Sequence, residues 1–550
     1  MHRLWQIPEL ASAVSESLDD DLNAVAALGA TSKTLCVHAQ RVLWRNLTRR
    51  SLAVLIYLID PRSQQFSCSY SFRKERFEAL AKLVHSVVLE ECLEEHPEWE
   101  DGTLSERLSF IWSARDAPLT SLFPHLDSLL VWAHHGGDLE TMQILCASST
   151  CLRKFSLVLD PLSNDLEEED GEQSEKALFH SALTALLSAT RSLCLTNVRD
   201  LTLLVNDPDC DAIGRFTFDL PPVLPNLSRF EGDGTMFTTA VLWRLGTMVG
   251  LQEVVYKWPC FQRLPKPAFH ITPTEPWFPG LVSAHLDQRF SETLCFLTLI
   301  SGPLASIGVR CLEERLCDSE VQRLVTTLAS FASSLRDVEL DIKLGRRKPS
   351  GKCVTWTTFQ ALYDCNKIER VALRLRTNTA RYAISFGERE AEDTASHWPS
   401  LEAFTLLCRP STFSAHPRHG RGKATSTGIF RLFQRCYHLR LVQISTLYVP
   451  AAFSPSAVLS HGSGADMGAG SRPKRRSLDL EDVWYEDESA SASVLTASIA
   501  RCGSPQIFLR VYEPIPGRDE HEPSNADPDV SSRLRSLNAL VSIVVTFPYH

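Results

Sequence analysis

The chain lacks the short signatures by which a catalytic, secreted or membrane-spanning protein can be read from spacing alone. Its longest apolar run, Leu52 to Ile59, falls far short of the roughly 20 residues needed to cross a bilayer. No apolar signal core opens the N-terminus, so a secretory route is not expected. None of the 16 cysteines belongs to a Cys-x-x-Cys pair. Scattered among apolar segments, they are expected as buried free thiols in a reducing compartment, the cytoplasm or the nucleus. Positive charge is not in surplus either. The formal net charge of -10 argues against a nucleic-acid binder working through bulk potential.

Catalytic constellations are equally scarce. Gly462-Ser-Gly464-Ala-Asp-Met-Gly468 has the glycine density of a phosphate loop, but no Gly-Lys-Ser/Thr follows and no strand precedes it. His96-Pro-Glu98 echoes a deaminase His-x-Glu without the Pro-Cys-x-x-Cys that would complete a zinc site. His134 and His135 are adjacent on an extended stretch, so they point to opposite sides and lack a third ligand. No Gly-x-Ser-x-Gly nucleophile elbow occurs. The chain is not expected to be an enzyme, and no cofactor or metal is expected.

What is present is a folded composition, 44% hydrophobic, with strong periodicity. At the N-terminus Leu10, Val14 and Leu18 recur every four residues and share one helix face. Pro8 and Glu9 suit the first turn, where a missing amide costs nothing and the helix dipole favours a carboxylate. Asp19, Asp20 or Asp21 can cap a second helix carrying Leu22, Val25 and Ala26. Thr31 or Ser32 can cap a third, with Leu35, Ala39, Val42 and Leu43 on its inner face. Three short helices of this size bury too little surface to stand alone. A partner protein is therefore expected.

This stretch resembles an F-box. F-box proteins open on a Leu-Pro-x-Glu-Leu motif whose apolar face packs on the Skp subunit of a Skp, cullin and F-box ubiquitin ligase. Ile7, Pro8, Glu9 and Leu10 occupy those positions, and Val14, Leu18, Leu22, Leu43 and Trp44 match later apolar sites. Two positions depart from the pattern: Ile7 replaces the usual leucine, and Leu35 stands where many fungal members have an aromatic residue. The alternative is an ordinary N-terminal helical hairpin packed on the body of the protein.

Beyond residue 50 the pattern changes to helical segments followed by short strands of the form apolar-x-x-apolar-x-apolar. Context makes the strands credible. Leu152, Leu335 and Leu439 each precede an arginine, and Leu126, Leu227 and Leu401 each follow a proline two residues earlier. Further starts are read at Val198, Leu251, Leu294, Ile368 and Leu540. Helical spacing precedes several of them, at Val241, Leu242, Leu245 and Met248, at Val321, Leu324, Val325, Leu328 and Phe331, at Ile429, Phe430, Leu432 and Phe433, and at Leu183, Leu186 and Leu187. Neither element can bury its face alone, but stacked neighbours share a core.

This resembles a leucine-rich-repeat solenoid. The expected fold class is α/β: a three-helix F-box over 1–50, a helical linker over 51–117 that includes Phe77, Leu80, Ala81, Val84 and Val88, and an irregular repeat solenoid over 118–550. Parallel strands would line the concave side, with helices outside. A conventional open sheet is the competing arrangement. The asparagine that usually follows the strand is mostly absent, which predicts distortion where its ladder would tie turns together. Disordered insertions are expected near 160–176, 409–427, 454–477 and 513–531. The third ends in Arg472-Pro-Lys-Arg-Arg476, a candidate nuclear targeting segment.

The order of parts resembles the F-box-like proteins abundant in mushroom-forming fungi. It implies a substrate-recognition adaptor, bound to the Skp subunit and through it to a cullin, that holds an unknown protein substrate for ubiquitination. Neither nucleic acid nor a membrane is an expected partner. Lys154, Arg336, Asp337, Glu369 and Glu402, between the strand leucines, are the candidate substrate contacts. The alternative function is a repeat scaffold without any ligase.

Overall fold

A computed structural model of the chain describes residues 7–18, 21–57, 70–90, 102–113, 122–133, 136–159, 195–205, 224–233, 239–257, 277–345, 354–377, 384–410, 424–449, 476–485 and 507–511. Two compact units divide it, Met1–Ala268 and Phe269–His550.

The first unit opens with three helices: α1 (Pro8–Ser17), α2 (Leu22–Thr31) and α3 (Lys33–Leu43). Pro8 is at the start of α1 and Glu9 in its first turn, where their backbone and charge preferences place them. Asp21 accepts a hydrogen bond from Ala24 N–H at 3.0 Å, and Ser32 accepts from Leu35 N–H at 3.1 Å. These are the two caps that start α2 and α3. The helices approach closely where a Cβ on Gly29 would lie 2.8 Å from Ala39 Cβ.

Seven strands follow, β1 (Asn46–Thr48), β2 (Ser86–Leu89), β3 (Ser128–Ala133), β4 (Lys154–Leu159), β5 (Asp200–Val205), β6 (Arg229–Asp233) and β7 (Glu253–Lys257). Each pairs in parallel with the next in chain order. Between them lie α4 (Arg49–Tyr57), α5 (Tyr70–Ala81), α6 (Gly102–Ser113), α7 (Gly136–Ala147) and α8 (Thr239–Thr247).

The second unit repeats the arrangement. Its strands β8 (Ser283–Asp287), β9 (Ser306–Leu316), β10 (Asp337–Leu344), β11 (Arg370–Thr377) and β12 (Ala403–Pro410) pair in order, and the run continues from β12 to β14 (Leu441–Val449), β15 (Arg476–Tyr485) and β16 (Ile507–Val511). The short β13 (Ala424–Thr425) pairs with β14, and Ala424 also forms a parallel bridge to Phe386. Helices α9 (Phe290–Leu299), α10 (Asp318–Ala329), α11 (Glu388–His397) and α12 (Ser426–Arg435) alternate with the strands, and a 3-10 segment, Trp356–Asp364, takes the helix place before β11.

Within each unit the strand order never reverses, as it must in a doubly wound open sheet. This is α/β architecture of leucine-rich-repeat type, built from one stacked strand-and-helix step.

The step has a common local structure. Strands β2 to β12 and β14 each begin two residues after a buried leading residue, for example Leu126, Leu152, Val198, Leu335, Ile368, Leu401 and Leu439. In most of these steps the leading amide donates to the carbonyl three residues earlier, as in Leu126 to Phe123 at 3.2 Å and Leu401 to Trp398 at 3.1 Å, while Leu335 donates to Phe331 and Leu304 to Gly302. The carbonyl just before a strand then accepts from two successive amides of the following step. Arg153 O accepts from Arg199 and Asp200, and Arg336 O accepts from Glu369 and Arg370. Third and fifth residues after the leading one are buried, as in Val338 and Leu340 or Phe404 and Leu406. Each such side chain stabilises the stack by about 1.5–3 kcal/mol.

Side chains also tie successive steps, on the side of the turn that leads into the strand. Asn197 Nδ2 donates to Thr150 O and Asn226 Nδ2 to Thr196 O, both at 2.8 Å. Ser334 Oγ donates to Leu304 O at 2.9 Å, and Trp398 Nε1 to Leu362 O at 3.1 Å. The missing post-strand asparagines are thus offset by ties elsewhere.

Several expectations are corrected. The sheet starts at Asn46, not near Pro118, because Arg45 O already accepts from His85 and Ser86, so 51–57, 70–90 and 102–113, which carry α4, α5, β2 and α6, take part in the repeated step. Val84 and Val88 do not continue a helix: α5 ends at Ala81, Val84 is a leading residue and Val88 lies in β2. Leu294 does not start a strand. It sits in α9, where Phe290, Thr293, Leu294 and Leu297 satisfy helical spacing and are all buried. The true starts on either side are Leu281 and Leu304. Of the expected insertions, Arg409 and Pro410 end β12, residues 424–427 enter β13 and α12, and Arg476 and Ser477 begin β15. The expectations on 160–176, 411–423, 454–475, 513–531, Leu183 to Leu187, Leu540, His96, His134, His135 and the Gly462 segment lie outside the described residues.

Candidate partner-binding surfaces

The N-terminal helices keep a small inner face. Ala11 and Ser15 of α1, Val25 of α2, and Leu35, His38 and Ala39 of α3 are buried. On α1 the buried pair is offset by one residue from Leu10 and Val14. Successive helix residues differ by about 100° in direction, so burying Ala11 and Ser15 turns the apolar stripe outward. Ile7 and Leu10 are exposed, and Val14 and Leu18 are half-buried. Pro8 and Glu9 are exposed, as is Leu22 at the start of α2, while Leu43 and Trp44 at the end of α3 are half-buried. Val37 of α3 is a further exposed apolar residue that the sequence reading did not single out. Its place two residues after buried Leu35, about 200° around the helix, could have marked it.

The helical module is wired to the repeats. Trp44 N–H closes α3 on Gln40 O at 3.0 Å, and Arg45 O then begins the strand ladder. Arg49, the first residue of α4, forms an ion pair with Asp138 in the first turn of α7 at 2.5 Å, both side chains being buried.

A second kind of surface lies on the strands. Helices such as α7, α9 and α12 contact the sheet, and the alternate strand positions point away from the buried set. In the first unit Lys154 is exposed at the start of β4, in register between Ser128 and Asp200. Arg229 pairs with Asp200 at 2.9 Å, with Glu231 at 2.6 Å and with Glu253 at 3.3 Å. Glu231 also pairs with Lys257. Burial alone would raise the Glu231 pKa, but hydrogen bonds and charge from Lys257, then Arg229, hold it below the usual carboxylate range. A depressed carboxylate stabilises the fold above its unfolded pKa and loses that contribution as pH falls through the folded value. The first unit is therefore expected to lose stability below about pH 4, and Glu231→Gln to lower stability at neutral pH by about 1–3 kcal/mol while flattening this acid slope. Thermal melts across pH check both outcomes.

In the second unit four candidate contacts come together at the starts of adjacent strands. Arg336 Nη1 donates to Glu369 Oε1 at 2.9 Å, Arg370 Nε to Asp337 Oδ1 at 2.8 Å, and Arg440 lies 3.9 Å from Glu402. Further along, Arg376 makes a two-pronged pair with Asp341 at 3.1 and 2.9 Å, and Arg374 pairs with Glu339. Lys154 is in the other unit.

Chemically these surfaces offer contact and charge. Burial pushes the Cys146 thiol up to about 12. Burial, with the nearby Asp364 charge, pushes Cys365 up to about 11. Both therefore remain protonated, unreactive thiols at neutral pH. Among the described residues no three His, Cys, Asp or Glu side chains gather as a metal site, and no helix is long and apolar enough to cross a membrane.

No protein-family model matches the chain, and no curated protein matches it. Among solved structures it is similar to an internalin from Listeria monocytogenes, at 14% identity over 65% of this chain and 84% of that one, with a TM-score of 0.30.

Proposed function

We propose that the chain is a substrate adaptor of a Skp, cullin and F-box ubiquitin ligase. The observation that carries this reading is the outward apolar stripe of α1, with Ile7 and Leu10 exposed on a module of three short capped helices. Exposed apolar groups on three small helices suit a docked protein, because burying them removes area from water at about 25 cal/mol per Å². Ile7, Pro8, Glu9, Leu10, Val14, Leu18, Leu22, Leu43 and Trp44 would form the Skp-facing set, with Val37 added. The strand faces would hold the substrate, with Arg336, Asp337, Glu369 and Glu402 in one cluster and Lys154 apart from it. The adaptor itself then acts by raising the effective concentration of substrate lysines near a charged conjugating enzyme.

One observation favours a second reading, a repeat scaffold without a ligase. Because α3 runs directly into β1 through Arg45, the helices could serve as the cap that a repeat stack requires. Co-purification of the full chain with a Skp subunit separates the two. The adaptor reading expects a stoichiometric complex that also retains a cullin, and the scaffold reading expects none at any concentration.

A further inference from the structure

Among the described residues, most ion pairs that cross the strands of the second unit leave the arginine clearly more exposed than its carboxylate; Arg374 and Glu339, at 44% and 42%, are nearly equal. Side-chain exposure is 63% for Arg370 against 29% for Asp337, 56% for Arg336 against 31% for Glu369, and 44% for Arg376 against 11% for Asp341. Arg310 stands in the same way over Asp287 and Asp341. In the first unit the order is mixed: Arg229 is more exposed than Glu231 but no more exposed than Glu253.

A guanidinium has five N–H donors, and a pair such as Arg336 with Glu369 uses one of them. The acid below fixes the arginine's position while donors remain for an oxyanion above it. We infer that the face of the second unit formed by β9, β10 and β11 docks an extended, acidic peptide segment, with Arg370, Arg374 and Arg376 as the principal contacts.

Spacing supports a peptide. Arg374 and Arg376 lie two residues apart on one strand and on one face, a separation of about 6.6 Å. An extended peptide repeats its same-side carboxylates at that interval. Ala372, between Arg370 and Arg374, leaves room for a side chain that does not match. A nucleic acid suits the face less well. The carboxylates of Asp337, Glu339 and Asp341 form a column along β10 directly beside the arginines; they oppose a continuous phosphate backbone, whereas an extended peptide, whose alternate side chains point to opposite sides, can turn neutral residues toward that column and its carboxylates toward the arginines.

This names a substrate class for the adaptor proposed above, but it is read on the second unit alone. Failure of Skp docking would leave it standing, and its failure would leave Skp docking standing. The test uses the full chain and fluorescence anisotropy with a labelled peptide alternating Glu and Ser, its Gln-Ser counterpart and a single-stranded oligonucleotide. The acidic peptide is expected to bind, with affinity falling as salt is raised, and the neutral peptide to bind at least about tenfold more weakly. Arg370→Gln, Arg374→Gln and Arg376→Gln together should weaken the acidic peptide by more than about tenfold. The matching Arg→Lys triple variant keeps the charge but has fewer donors, so it should bind several-fold more weakly than wild type while still preferring the acidic peptide to its neutral counterpart, and it decides the matter if the Gln variant proves misfolded by circular dichroism. Equal binding of the neutral peptide, unchanged affinity in a folded Gln variant, loss of that preference in a folded Lys variant, or preference for the oligonucleotide would each overturn the inference.

Discussion

Replacing Leu10 and Leu22 together with aspartate is expected to abolish retention by a Skp subunit, an affinity loss of at least about a hundredfold, while leaving the chain folded. Both side chains are exposed in the free chain. A carboxylate there remains hydrated until a partner covers it. In a docked interface each new charge would be stripped of water without a designed counter-charge, at a cost of several kcal/mol. The neighbouring position discriminates the mechanism. Ala11 is fully buried against the other helices, so Ala11→Asp should unfold the module itself and show it in far-UV circular dichroism. Retention of the Leu10→Asp, Leu22→Asp variant at wild-type affinity would place any Skp contact elsewhere.

Asp138→Ala is expected to have the largest effect on stability, about 3–5 kcal/mol. It leaves Arg49 buried without the carboxylate that faces it at 2.5 Å. The pair joins α4 to α7, and Asp138 also occupies the first turn of α7, where its charge complements the helix dipole. Loss of both contributions should lower the melting midpoint by about 10 °C for a unit of this size. The double variant Arg49→Met, Asp138→Leu should recover most of the deficit, because well-packed apolar groups replace a buried pair at little net cost. A single-variant loss below about 1 kcal/mol in denaturant melts would mean that water reaches the pair.

Much of the fold was legible because the repeated step is carried by short-range spacing. Leu152, Leu335 and Leu439 were found through the following arginine, and Leu126, Leu227 and Leu401 through the preceding proline. Each leads a strand two residues later. The same filters passed over Val84 and Leu304, which have the spacing without either context. Leu281 was missed although Pro279 precedes it by two residues, as proline does at the other marked starts. Leu294 shows the converse fault, since Leu294, Leu297 and Leu299 fit the strand template while their burial follows a helix.

The N-terminal module is the most readable part: the sequence narrows its caps to Asp19, Asp20 or Asp21 and to Thr31 or Ser32, because capping needs only local geometry, and the fold uses Asp21 and Ser32. Pairings across the stack were not readable. Arg49 and Asp138, or Arg376 and Asp341, meet through the register of turns far apart in sequence. The five proposed substrate contacts were chosen as solvent-facing positions, and the register brought Arg336, Asp337, Glu369 and Glu402 together while leaving Lys154 in the other unit. The vertical order of arginine over carboxylate has no sequence signature at all.

The most direct measurement of the central claim is backbone hydrogen exchange on the full chain with and without a saturating Skp subunit. The adaptor account predicts added protection over Pro8–Ser17, Leu22–Thr31 and Lys33–Leu43, with β9, β10 and β11 unchanged. Unchanged exchange across all three helices, or protection confined to the repeat strands, would contradict it.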